Sequence, residues 1–182
     1  MKQLLRLTVG FLVLGALAVA ANPAQAVDAV GPYYAEPAWD QSLLVAPRFV
    51  VLTNWGSAAV LDKETGLVWE KSPSAVTKNW AAARRVCTAK TTGARKGWRL
   101  PSIHELTSLL HPSGFTPGGP TLQPGHPFLT AQPANYWSAT TNAHDIRSAW
   151  FVSFFSGGVS DFGKSDILNV WCVRGGGVLS EY

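Results

Sequence analysis

The amino-acid sequence predicts an α+β domain, on three observations. Two short apolar runs flank a turn at residues 62–66, and two segments of helical period follow. Beyond a Pro- and Gly-rich stretch, short β-type runs continue to residue 174. Helices grouped between blocks of strands, rather than alternating with them, give an α+β arrangement.

The first 26 residues have a pattern of their own. Lys2 and Arg6 form a basic head, residues 7–21 are almost wholly apolar, and Ala24-Gln25-Ala26 supplies a small-x-small sequence. This reads as a signal peptide cleaved after Ala26. The apolar run of 15 residues is short of the ~20 that span a bilayer. No lipid-accepting cysteine and no second long apolar stretch follow it. The expectation is a periplasmic or secreted protein with no membrane span after cleavage. The remaining 156 residues hold 13 Lys and Arg against 11 Asp and Glu. So slight a basic excess argues against a nucleic-acid partner, which needs a concentrated basic surface.

Residues 27–48, with Pro32, Pro37 and Pro47, read as a lead-in or linker that Tyr33, Tyr34 and Trp39 tack to the domain. The domain then occupies residues 49–177, with a tail at 178–182. Residues 49–52 form the first strand candidate. Residues 58–61 and 67–70 form a hairpin about the 62–66 turn, where Gly66 is free to take positive φ. A helix over 78–90 is capped by Thr77. Its Trp80, Ala83 and Cys87 share one face. Ser102 and Glu105 make a capping box for a second helix, with Ile103, Leu106, Leu109 and Leu110 as its apolar face and Pro112 as its end. Residues 111–133 read as a long irregular loop. Strands are expected at 136–139, 147–155, 159–162 and 169–174, with a turn at Gly157 and Gly158.

Cys87 and Cys172 are the only cysteines. In an oxidising compartment such a pair reads as one disulfide. A metal site would need further ligands at short spacing, and none lies beside either cysteine. Closing a loop of 84 intervening residues is worth ~4 kcal/mol in the chain-entropy account.

Trp69, Trp80, Trp98, Trp137, Trp150 and Trp171 read mainly as core. Along residues 149–155, alternation that turns Trp150, Val152 and Phe154 inward turns Phe151, Ser153 and Phe155 outward, unless a loop or the lead-in covers them. With Arg147, Asp161, Lys164 and Asn169 nearby, these three form the candidate binding surface. Arg147 and Lys164 suit sulfate or carboxylate. A separate basic stripe, Arg84, Arg85, Lys90, Arg95, Lys96 and Arg99, is either a solvated face or a contact for an anionic polymer. The triplets Glu-Pro-Asn, Gln-Pro-Asp and Trp-Asn-Asp of calcium-dependent sugar sites do not occur, so no metal and no cofactor is expected. His104, His111, His126 and His144 have no nucleophile partner motif, so no enzyme activity is expected.

One ordered set of motifs extends these readings. It runs from Asp62-x-x-Thr65-Gly66-Leu67-Val68-Trp69 through Trp80 and Cys87 to Gly97-Trp98-Arg99-Leu100-Pro101-Ser102-x-x-Glu105-Leu106. Tyr136-Trp137-Ser138, Ala149-Trp150-x-Val152-x-Phe154 and Cys172-Val173-Arg174-Gly175 complete it. The set resembles the Lcl C-terminal domain family, named after a bacterial collagen-like adhesin, over residues 61–176. The resemblance implies a C-type-lectin-like fold and a disulfide from the first helix to the last strand. It also implies surface binding, with a glycan or polysaccharide, anionic ones included, as ligand. A cell-envelope protein is the other partner class weighed.

Overall fold

The computed structural model describes residues 48–111 and 118–176. The expected signal segment, nearly all of the lead-in, Pro112 and the tail lie outside the described residues. Ten strands and two α-helices make up the described part. Strands β1 (Phe49–Val51), β2 (Ala59–Asp62), β3 (Leu67–Glu70), β10 (Val173–Arg174) and β5 (Trp98–Arg99) form one antiparallel sheet in that order. The second sheet has the order β4 (Ser74–Lys78), β9 (Leu168–Val170), β6 (Asn135–Thr141), β7 (Ser148–Ser153), β8 (Val159–Gly163). Its pairings are antiparallel except β6 with β9. Among the described residues no helix is long and apolar enough to cross a membrane.

The β2–β3 hairpin forms as the sequence predicts, and Asp62 shows why. Its buried carboxylate accepts from Thr65 Oγ1 at 3.0 Å and the Glu64 backbone N–H at 3.1 Å, which fixes the turn. Arg48 grips the same carboxylate through Nε at 3.0 Å and Nη2 at 2.9 Å. A buried charge needs such satisfaction on every side. Gly66 has φ 70°, the left-handed region open to glycine.

Helix α1 (Trp80–Ala89) starts later than expected. Thr77 and Lys78 belong to β4, and the cap is Asn79, whose side-chain oxygen accepts from the Ala82 N–H at 2.9 Å. Ala83 and Cys87 form its buried face, and Cys87 is disulfide-bonded to Cys172. Helix α2 (Ile103–Thr107) keeps the predicted capping box. Ser102 Oγ accepts from Glu105 N–H, and Glu105 Oε2 accepts from Ser102 N–H at 2.8 Å.

The expected strand at 169–174 is two strands in different sheets. The chain leaves β9 at Val170, passes Trp171 and Cys172, and enters the first sheet as β10 between β3 and β5. Trp171 lies fully buried in the crossing. Its ring meets those of Trp69, Phe128, Tyr136 and Phe154 at centroid distances of 4.9–5.8 Å, and its Nε1 donates to Glu70 O at 2.9 Å.

Two apolar clusters result. The first holds Val60, Trp69, Leu106, Leu109, Tyr136, Val152, Phe154 and Trp171 among others. The second gathers Ala83, Cys87, Trp98, Trp137, Ala149, Phe151, Val170 and Cys172. Each fully buried large aliphatic or aromatic side chain contributes ~1.5–3 kcal/mol relative to exposure.

Candidate functional site

The residues expected to form a binding surface lie on and around the β7–β8 hairpin, but they do not converge. Phe151 is a correction. It is 6% exposed, belongs to the second cluster and stacks on Phe162 at 4.6 Å. The reason is that both faces of β7 are covered. Val152 and Phe154 enter the first cluster, while Ala149 and Phe151 enter the second, which also holds Ala83 and Cys87 of α1. Ser153 is buried too, its Oγ accepting from Ser156 N–H in the turn. Asn169 is buried and donates to Asn135 O at 3.5 Å. Phe155 alone of the three expected outward residues is exposed, at 59%. Asp161 is half-buried on β8, opposite Trp150.

Arg147 and Lys164 are brought together at the other end of the hairpin, where the Lys164 backbone N–H donates to Arg147 O at 2.8 Å. Their charges are partly engaged. Arg147 Nε meets Asp145 Oδ1 at 3.2 Å. Asp145 is held below the usual carboxylate range, first by the Arg147 backbone N–H and then by its guanidinium. Lys164 Nζ donates to Thr141 Oγ1 at 2.9 Å and Ile146 O at 2.8 Å.

The basic stripe is better placed. Two of its six members are neutralised inside the fold. Lys90 pairs with buried Glu70 at 2.6 Å, and Arg99 Nη1 bonds Glu105 Oε2 at 2.7 Å. Arg84, Arg85, Arg95 and Lys96 are exposed and make no ion pair with any described residue. Arg174 on β10 joins them, its Nε donating to Lys96 O at 2.8 Å. This fifth cation is far away in sequence and was not part of the expected stripe; only the antiparallel pairing of β10 with β5 brings it there.

Two half-buried tryptophans sit among these cations. Trp80 Nε1 donates to Ser138 O at 2.8 Å, so its ring is fixed. Lys164 Nζ lies 4.2 Å and Arg84 Cζ 4.8 Å from its ring centre. With Ala81, Arg85 and Thr88 this residue lines an open depression of about 360 Å³. Trp55 has the guanidinium carbons of Arg95 and Arg174 each at 5.4 Å. Of the six tryptophans expected in the core, Trp69, Trp98, Trp137 and Trp171 are buried, while Trp80 and Trp150 are only half-buried.

Cys87 and Cys172 are consumed in their disulfide, so no described thiol is free. Among the described residues no group of three His, Cys, Asp or Glu side chains could hold a metal ion. The chemistry on offer is multivalent contact with negative charge. Comparison with known proteins adds one finding. The family described as Lcl C-terminal domain matches residues 58–174. No curated protein matches the chain.

Proposed function

The chain belongs to the Lcl C-terminal domain family, and on that premise we propose that it is a non-enzymatic recognition module that works outside the cytoplasm and holds anionic polysaccharide. The observation that carries this reading is the set of cations without an ion pair to any described residue, Arg84 and Arg85 on α1 and Arg95, Lys96 and Arg174 on the turn after it and β10. Cations left without carboxylate partners on a rigid frame attract polyanions at little reorganisation cost. The buried disulfide suits an oxidising compartment. Recognition also needs no nucleophile, and the only two cysteines are bonded to each other.

Retention on immobilised sulfated and neutral glycans, at low and physiological salt, tests the proposal. Sulfated ligands retain the protein, and salt weakens retention steeply because exposed charges are screened within ~8–10 Å. Arg84→Glu with Arg85→Glu lowers retention strongly. Arg147→Ala changes it little, since Asp145 already faces that guanidinium. Absence of retention at low salt sinks the polysaccharide reading. It would favour a protein partner instead, for which exposed Phe155, Val159 and Phe162 around β8 offer apolar contact.

A further inference from the structure

The ten residues of α1 rise ~15 Å. Trp80 with Arg84 and Lys164 marks the start of the helix, and the turn carrying Arg95 follows its end. Each tryptophan therefore holds a pair of like charges. Such a pair repels itself, and the ring quadrupole offsets only part of that repulsion. Arg84, Arg95 and Arg174 form no ion pair with a carboxylate among the described residues. A bound anion would offset the rest at both places.

The Trp55 station is built rather than incidental. Gly93 has φ +65°, and a Cβ there would stand 2.8 Å from Trp55 Cβ, so glycine backbone packs directly on the ring. Arg174 is held by its bond to Lys96 O. Side chains already fixed in this way lose less freedom when a ligand arrives.

We propose that the two tryptophan stations engage one extended anionic polysaccharide simultaneously, with α1 as the spacer between them. The proposal rests on the basic-face reading above and goes beyond it by fixing a minimum ligand length and two points of contact. Each ring is already flanked by two cations. Both rings are half-buried and carry two cations each, which leaves little open ring face for a base to stack on, so ionic contact with sulfate or carboxylate groups is the better fit.

The test is titration of the protein with size-fractionated heparin fragments, from the disaccharide upward, beside a single-stranded oligonucleotide of matched charge. Affinity rises at least ~10-fold once a fragment reaches both stations, because the second contact becomes intramolecular. Arg95→Ala with Arg174→Ala returns long-fragment affinity to the short-fragment level and leaves the disaccharide unaffected at Trp80. Gly93→Ala, which displaces Trp55, acts in the same direction. Arg84→Ala with Arg85→Ala, on the exposed face of α1, gives the converse loss without touching β10. Affinity independent of length, or long fragments indifferent to the Arg95 and Arg174 changes, overturns the two-station proposal while leaving the basic face standing. Equal binding of the oligonucleotide overturns the polysaccharide assignment. No binding of any fragment at low salt removes both readings.

Discussion

Glu105 joins three parts of the molecule through one carboxylate. It accepts from the Ser102 N–H at the start of α2, and it binds Arg99 of β5. Arg99 in turn donates to Gly175 O beyond β10 at 2.8 Å. Burial works against its ionisation, but the bonds from Arg99 and Ser102 prevail, and its pKa lies below the ordinary 4.5. The folded state therefore gives up this proton more readily than the unfolded chain. Its stabilising contribution is complete above about pH 4.5 and is lost as pH falls through the lower native value. The thermal midpoint should fall on acidification below that point, and Glu105→Gln should flatten the fall; an unchanged slope in the variant would refute the assignment. Single residues also show where sequence reading stops. The capping box was legible because both partners lie within four residues. The burial of Phe151 was not, because period-2 alternation assumes one wet face and β7 has none. Arg174 likewise entered the basic cluster through strand pairing that no local pattern encodes.

At the scale of elements, α2 depends heavily on its cap. It has five residues, too few to persist by propensity alone. Ser102→Ala should cost ~1 kcal/mol, read as a lower urea midpoint with unchanged m-value. A change within a few tenths of a kcal/mol would mean that packing of Leu106 and Leu109 holds the helix without it. The β2–β3 hairpin and both helices were readable because turn and cap chemistry is local. Strand β4 was missed for a physical reason. It is an edge strand paired only to β9 through a bulged register, and its residues are half-buried or exposed. It carries little apolar signal, and its Thr77 resembles a helix cap. The break between β9 and β10 was invisible because residues 167–173 are apolar apart from Asn169, whichever sheet they join.

For the whole molecule, the disulfide ties the helix of the second cluster to the crossing segment between the sheets. Both cysteines are fully buried. Replacing Cys87 and Cys172 together by Ala should remove ~4 kcal/mol of stability by the loop-entropy account. Equilibrium denaturation would show it, and an unshifted midpoint would place the stability in packing alone. The class of fold and the pairing of the cysteines were legible from 182 residues of sequence. The sheet order was not, since each sheet takes in strands from both ends of the domain. That order sets a timetable. β10 sits inside the first sheet and β9 inside the second, so a chain emerging N-terminus first has no complete sheet until residues 168–174 arrive. Before then β3 and β5 lack their shared neighbour, and Trp69 lacks Trp171. The β2–β3 and β6–β7–β8 pairings join chain neighbours, but closure of both sheets waits on contacts of long sequence separation, which form slowly.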